Sequence, residues 1–328
     1  MSSGIQYDGS IHPSVINKLD PEYVAFHNAN LLDRVPTELL PWDPAIRLGP
    51  TVPGTSDPLE VGGIQDHSLS KTNVRVFTPK GERPNEGWPV FIWFHGGGWT
   101  LGNIASDTSF ITRLVNAANC VVVSVDYRLA PENPYPAAVE DAIEALEWVV
   151  KKGPGEIHID TKRIAVGGSS SGGNLAAVLS LKAAERAIPL VFQLLIVPVT
   201  DNTASVKDLW FENQHAPWLT PVRMTWFKGN YLPREQDWTK WDASPTFAPT
   251  DLLRQVPKAW IGVCEMDILK EEGILYGEKL KKEGIEVEVE VYPGAPHPIM
   301  SMDGVLQVGR KMVSDAGAVL ARAFSSTL

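Results

Sequence analysis

The segment 163–174, with the sequence RIAVGGSSSGGN, joins a short apolar run to a turn rich in glycine and serine. Within it, Gly168 to Gly172 form a G-x-S-x-G pattern whose central residue is Ser170. Where a strand turns sharply into a helix at such a pattern, the serine takes a strained backbone conformation and its hydroxyl is pushed out of the turn. The segment therefore predicts a strand–turn–helix unit that presents Ser170 as a nucleophile. A glycine- and serine-rich turn without chemistry is the alternative.

On both sides of this segment, from about Asn73 onward, β-rich runs alternate with helical patterns. We predict strands at 73–78, 90–94, 121–125, 163–166, 193–197, 259–264 and 286–292. We predict helices at about 108–118, 137–152, 172–187 and 271–283, and a last helix after Asp303. This alternation is typical of an α/β fold, in which helices cover both faces of a mostly parallel sheet.

Two stretches do not fit the alternation: residues 1–60, which are rich in proline, and residues 201–250, called the cap insertion below. We predict that they form a helical cap over a catalytic α/β domain made of residues 61–200 and 251–328. The cap insertion carries five tryptophans, Trp210, Trp218, Trp226, Trp238 and Trp241. Trp218 and Trp226 are candidate substrate contacts, and packing of the cap against the sheet is the alternative for each tryptophan.

A second glycine-rich turn, HGGGW at 95–99, directly follows the predicted strand 90–94. Consecutive glycines free the backbone to point its amides at a bound anion. We predict an oxyanion hole made by the backbone N–H groups of Gly97, Gly98 and Ser171. Trp99 is a candidate substrate contact, and His95 is assigned a structural role. A flexible glycine turn is the alternative for the whole segment.

A serine nucleophile needs a base within hydrogen-bond reach and a carboxylate that orients this base. Asp267 follows the predicted strand 259–264 in the sequence CEMDIL, and His297 follows the last predicted strand in YPGAPH. The order serine, acid, histidine is the one that accompanies the G-x-S-x-G turn. We therefore predict His297 as the general base and Asp267 as the acid that orients it, with Glu265 as the alternative acid.

These candidate residues share one position relative to the predicted sheet. The HGGGW turn, Ser170, Asp267 and His297 each follow the carboxyl end of a different strand. Parallel strands bring their carboxyl ends to one edge of the sheet, where open α/β sheets bind ligands. Residues that are far apart in the sequence are thus expected to meet in one site.

The composition is that of a folded globular chain, with 328 residues of which 44% are hydrophobic and 21% charged. The formal net charge of -10 comes without a basic cluster, which argues against nucleic acid as a partner. Apolar runs are far shorter than the roughly 20 residues of a membrane helix, and no secretory signal is visible, so we expect no membrane span and a cytoplasmic location. The two cysteines, Cys120 and Cys264, are expected to be buried, reduced thiols. No metal-ligand spacing or nucleotide-binding fingerprint is present, so no cofactor is predicted.

From about Val74 to its end, the sequence resembles the hormone-sensitive-lipase-like branch of the α/β-hydrolases, which includes many microbial carboxylesterases. The resemblance rests on HGGGW at 95–99, DYRLAPE at 126–132, GSSSGGN at 168–174, Asp267 and His297. It implies an α/β-hydrolase fold with a cap, and hydrolysis of short- to medium-chain acyl esters without a cofactor. It also implies that the DYRLAPE run supports the oxyanion turn.

The chain departs from the family pattern at two places. Serines flank Ser170 on both sides, where family members usually carry aspartate or threonine before it and alanine after it. After the histidine, Pro298-Ile299 stands where relatives commonly have Gly-Phe, and Pro296 precedes it, so a stiffer loop with one fewer backbone donor is expected. An atypical substrate range follows from these differences.

The resemblance leaves other reactions open. Hydrolysis of a lactone or an amide, or acyl transfer to another alcohol, would use the same residues. Plant hormone receptors share the family fold and hold a small acid without hydrolysing it, but they typically lack the catalytic histidine, so His297 favours an enzyme. The expected partner is a small-molecule ester, and the oligomeric state is open, a homodimer included.

Overall fold

The central element of the structure is one eight-stranded sheet. A computed structural model of the chain describes residues 8–48, 53–297 and 299–325. The strands are β1 (Gly63–Ser68), β2 (Asn73–Thr78), β3 (Trp88–Phe94), β4 (Val121–Asp126), β5 (Ile159–Ser169), β6 (Phe192–Ile196), β7 (Ala259–Met266) and β8 (Val287–Pro296). Their order is β1-β2-β4-β3-β5-β6-β7-β8. The β1–β2 and β2–β4 pairs are antiparallel, and the pairs from β4 through β8 are parallel.

Helices cover both faces of the sheet. The α-helices of the described residues are α1 (Pro21–Asn30), α2 (Thr108–Ala118), α3 (Ala137–Glu156), α4 (Ser171–Glu185), α5 (Pro221–Tyr231), α6 (Thr250–Leu253), α7 (Lys270–Lys282) and α8 (Gln307–Ser325). Along β3 the side chains alternate between two hydrophobic cores: Ile92 and Phe94 belong to the core with α3 and α4, and Phe91 and Trp93 to the core with α2 and α8. This strand is buried on both faces because helices lie on each side, and so its sequence is an unbroken apolar run.

The structure confirms the predicted α/β order, and strand 73–78 and helix 108–118 match β2 and α2 at both ends. Sequence reasoning missed β1, whose residues GIQDHS are mostly exposed and carry no apolar alternation. This strand pairs with β2 at the edge of the sheet, where Asp66 also accepts from Arg75 Nε at 2.7 Å and Nη2 at 2.8 Å. The free thiols Cys120 and Cys264 are buried, and burial raises the pKa of both.

The N-terminal segment and the cap insertion contact each other. The Glu38 carboxylate lies 3.6 Å from the Arg223 guanidinium, and the rings of Trp42 and Trp226 lie 6.0 Å apart. Both stretches were expected to be helical, and they contain α1 in the first and α5 in the second, whose bounds the sequence analysis did not give. Each of these helices begins with a proline after a side-chain cap, Asp20 for α1 and Thr220 for α5.

Candidate active site

Ser170 occupies the sharp turn between β5, which ends at Ser169, and α4, which begins at Ser171. Its backbone has φ 54° and ψ −117°, in a region that costs a residue with a side chain about 1–3 kcal/mol. Three hydrogen bonds hold this conformation: the N–H of Ser170 donates to Ile196 O at 2.8 Å, and its carbonyl accepts from Asn174 N at 3.0 Å and from Val199 N at 3.3 Å. The predicted strand–turn–helix unit is therefore confirmed.

The glycines around Ser170 allow the turn to pack against β3. A Cβ atom added to Gly172 would lie 2.0 Å from Phe94 O, and one added to Gly168 would lie 2.7 Å from the same oxygen. Any larger residue at Gly172 would push the turn away from the strand that leads into HGGGW. The G-x-S-x-G pattern thus lets the serine and the glycine turn lie side by side.

Asp267 and His297 form a buried pair at the ends of β7 and β8. His297 Nδ1 lies 2.7 Å from Asp267 Oδ2, a distance at which the ring N–H donates to the carboxylate, and the side chains are 5% and 0% exposed. The other oxygen of Asp267, Oδ1, accepts from Leu269 N at 3.0 Å. Glu265, the alternative acid, is exposed and accepts from Gly294 N at 2.7 Å. The histidine therefore pairs with Asp267, and Pro298 after it lies outside the described residues.

The HGGGW turn adopts a conformation that needs glycine and lies beside Ser170. Gly97 and Gly98 have φ values of 119° and 60°. A Cβ atom added to Gly96 would lie 3.6 Å from Ser170 Cβ. The HGGGW turn, the serine, the aspartate and the histidine each come directly after a strand, β3, β5, β7 and β8 respectively, so they meet at one edge of the sheet.

His95 and the DYRLAPE run form hydrogen bonds with the backbone of the glycine turn. The Tyr127 hydroxyl donates to His95 O at 2.8 Å, and the two rings stack with centroids 4.4 Å apart. His95 Nδ1 lies 2.7 Å from Gly96 O, and burial lowers the pKa of this imidazole, which favours the neutral form that donates to the carbonyl. Ala130 N donates to Trp99 O at 2.8 Å. These contacts agree with the structural roles predicted for His95 and for the DYRLAPE run.

Helix α5 of the cap insertion packs directly on the glycine turn. The ring of Phe227 lies where a Cβ atom of Gly98 would be, with ring carbons 2.2 Å from that position. The Trp99 side chain is 0% exposed and stacks on Tyr231, with ring centroids 4.4 Å apart and planes 7° from parallel. The aromatic residues of α5 thereby fix the turn that carries the candidate oxyanion donors, and Trp99 packs against the cap.

Replacing Gly98 with alanine is expected to lower kcat for ester hydrolysis by about a hundredfold to a thousandfold, the cost of losing an oxyanion donor. The added methyl overlaps the Phe227 ring and the residue must keep φ 60°, so the turn shifts away from its native position. Gly229→Ala on α5 is the control, because a Cβ atom added there would meet no other atom within 4 Å. Steady-state kinetics of both variants separates the displacement of the glycine turn from a general effect of an added methyl group. Equal kinetics for the two variants would contradict the expectation.

The other two tryptophans predicted to contact substrate, Trp218 and Trp226, are half-buried in the cap insertion. The Trp218 carbonyl accepts from Arg223 Nη1 at 3.2 Å, and its ring lies 5.6 Å from the same guanidinium. The ring of Trp226 lies 5.1 Å from Phe227, which packs on the glycine turn. Trp226 therefore lies next to the residue that packs on the glycine turn, and the role of both tryptophans toward substrate stays a prediction.

Glu272, which sequence reasoning missed, is a buried carboxyl that ties the cap insertion to α7. It accepts from Thr200 N at 2.8 Å, from Asp201 N at 3.3 Å and from Trp210 Nε1 at 3.3 Å. Burial raises the pKa of Glu272 to about 8, although these hydrogen-bond donors lower it. The Trp210 ring also lies 5.3 Å from the buried Lys228 ammonium. The start of the insertion is thus held to the helix that follows Asp267.

The raised pKa of Glu272 predicts a stability that falls with rising pH. The folded protein keeps a proton on Glu272 that the unfolded chain releases near pH 4.3. The stabilisation of the folded state by this proton is therefore full below about pH 4 and is lost as the pH approaches about 8. Through this group the free energy of unfolding of the wild type should fall by at most about 1.4 kcal/mol per pH unit, and we expect Glu272→Gln to lack this dependence. Urea denaturation at several pH values measures it, with Glu271→Gln on the same helix as control. Parallel curves for wild type and Glu272→Gln would contradict the assignment.

Comparison with known proteins agrees with this fold. The sequence profile of a family described as having the alpha/beta hydrolase fold matches residues 91–301. An AB hydrolase superfamily protein of Schizosaccharomyces pombe is 44% identical over 95% of this chain and 96% of its own length. The carboxylesterase NlhH of Mycobacterium tuberculosis is 37% identical over 78% of this chain and 79% of its own. The solved esterase of Pyrobaculum calidifontis has a TM-score of 0.76 and 34% identity, covering 80% of this chain and 86% of its own.

The chain belongs to the hormone-sensitive-lipase-like carboxylesterase family of the α/β-hydrolase superfamily, as the sequence motifs predicted, and is an enzyme of the carboxylesterase type. Within the described ranges, no helix has both the length and the apolar character needed to cross a bilayer.

Proposed function

We propose that the protein hydrolyses carboxylic esters through an acyl-enzyme on Ser170. The observation that carries the proposal is the buried 2.7 Å pair of His297 and Asp267, which lies at the same sheet edge as the strained Ser170 turn. A neutral imidazole with its Nδ1–H held by a carboxylate leaves Nε2 free to accept a proton, as a general base requires. The family membership supports the same reaction.

The proposed reaction has two halves, acylation of Ser170 and hydrolysis of the acyl-enzyme. Ser170 Oγ attacks the ester carbonyl carbon while His297 takes the hydroxyl proton, and the N–H groups of Gly97, Gly98 and Ser171 stabilise the oxyanion. When the tetrahedral intermediate collapses, His297 passes the proton to the leaving alcohol and the acyl group stays on the serine. A water molecule, deprotonated by the same histidine, then attacks the acyl carbon, and the acid leaves as Ser170 regains its proton.

The substrates that we propose are small esters with short to medium acyl chains or hydrophobic groups. Two observations support this class: relatives named carboxylesterase and esterase, and the four half-buried tryptophans of the cap insertion, which supply apolar surface. The mechanism uses side chains and backbone amides of this chain throughout. The cytoplasmic location and a homodimer stay predictions from the sequence.

Hydrolysis of p-nitrophenyl esters of increasing acyl length tests the function and the substrate class together. The native chain is expected to turn over these esters, with kcat/KM rising with acyl length until the acyl pocket is filled. Trp218→Ala and Trp226→Ala are expected to weaken the preference for longer chains. No hydrolysis of any ester would contradict the function, and a preference for small polar esters that neither variant changes would contradict the substrate class.

A further inference from the structure

Asn213 of the cap insertion reaches the strand end that carries the candidate acid. Its side chain is buried, with 5% of the residue exposed. The Nδ2 amide donates to Glu265 O at 2.9 Å and to Asp267 O at 2.8 Å, so both of its N–H groups are used on the backbone at the end of β7. Asn213, 54 positions before Asp267, is therefore hydrogen-bonded to the backbone that carries this aspartate.

The β7–β8 ladder is interrupted next to the acid. The pairing is irregular between Cys264 and Met266 and resumes only at the Met266–Pro296 pair, directly before Asp267. Asp267 O also accepts from Lys270 N, but at the longer distance of 3.2 Å. Without the Asn213 amide, this carbonyl would keep only the longer bond, and each hydrogen bond lost from the strand end costs about 0.5–1.5 kcal/mol unless the backbone moves to replace it. Movement here would displace the carboxylate of Asp267 from the imidazole.

We propose that Asn213 is a positioning residue for the catalytic acid. It holds the backbone on both sides of Met266, so that Asp267 Oδ2 stays at 2.7 Å from His297 Nδ1. The inference rests on the role that the proposed function gives to Asp267. It also makes the cap insertion part of the catalytic machinery, because the cap then sets the geometry of the acid as well as covering the site.

The test compares Asn213→Ala and Asn213→Leu, which fills similar space without a donor, with Asn202→Ala. Asn202 is a matched control, since it is also buried in the cap insertion and its Nδ2 donates to Ala243 O at 2.8 Å, away from the acid. The first measurement is the low-field proton NMR resonance of His297 Nδ1–H, which reports its hydrogen bond to Asp267 and does not require ester hydrolysis. The second is kcat and KM for a p-nitrophenyl ester.

For both Asn213 variants we expect the Nδ1–H resonance to move upfield or broaden, and kcat to fall about tenfold to a hundredfold while KM changes little. Asn202→Ala is expected to keep the wild-type resonance and kcat. A folded Asn213 variant with the wild-type resonance and kcat would overturn the inference, as would equal changes in Asn202→Ala. A changed resonance in a protein whose wild type hydrolyses no ester would support the positioning role and reject the proposed function, so the two fail separately.

Discussion

Replacing Ser170 with alanine is expected to lower kcat for ester hydrolysis by at least about a thousandfold while the protein stays folded. Alanine removes the attacking oxygen, and what remains is catalysis by the oxyanion donors and by substrate binding. The strained turn should persist, because its backbone hydrogen bonds to Ile196 and from Asn174 do not involve the side chain. Steady-state kinetics with a p-nitrophenyl ester, on protein checked by circular dichroism, measures the loss.

The neighbouring serines provide matched controls for this variant. Ser169→Ala and Ser171→Ala each remove one hydroxyl from the same turn, and alanine at Ser171 keeps the backbone N–H that we assign to the oxyanion hole. Both variants should retain most of the activity. A loss in either control as large as that in Ser170→Ala, or activity that survives in Ser170→Ala, would contradict the choice of nucleophile.

Replacing Asp267 with asparagine is expected to lower kcat by about ten-thousandfold, the loss known for comparable triads. The amide cannot offset the charge of the imidazolium that forms during proton transfer. If its NH₂ group faces Nδ1, it also selects the tautomer in which Nε2 carries the proton, so that the base cannot act. The nucleophilic turn and the glycine turn are not altered, and the KM is expected to change little.

Glu265→Gln is the control for Asp267→Asn, because Glu265 lies two residues earlier and accepts from Gly294 N away from the histidine. A glutamine oxygen can keep that hydrogen bond, so activity near the wild-type level is expected. A loss in Glu265→Gln that equals the loss in Asp267→Asn would mean that the acid has been assigned wrongly. Rates for both variants at one pH are enough to decide.

Much of the site could be predicted because its signals are local. Glycines next to a strand end, a serine centred between glycines, and an acid and a histidine each after a later strand are all visible in the sequence. Parallel strands convert these separate positions into one site, and this step needs only the strand order. The Asp267–His297 contact in the structure has the partners that this reasoning names.

The parts that could not be predicted depend on contacts between distant segments. Asn213 and Glu272 bear no local pattern. Their partners are the Trp210 indole and backbone groups at Glu265, Asp267, Thr200 and Asp201, which only the folded chain brings together. The packing of Phe227 on Gly98 is of the same kind. Edge strand β1 was missed for a different reason, because its polar, exposed residues give no hydrophobic periodicity.

The nucleophilic role of Ser170 is tested most directly by mass spectrometry after reaction with a p-nitrophenyl phosphonate, which traps an activated serine as a stable phosphonyl ester. We expect stoichiometric release of p-nitrophenol and a phosphonyl group on Ser170, with labelling absent in Ser170→Ala and retained in Ser169→Ala. A label on Ser169, Ser171 or another residue, or no label on a protein that hydrolyses esters, would contradict the proposed acyl-enzyme on Ser170.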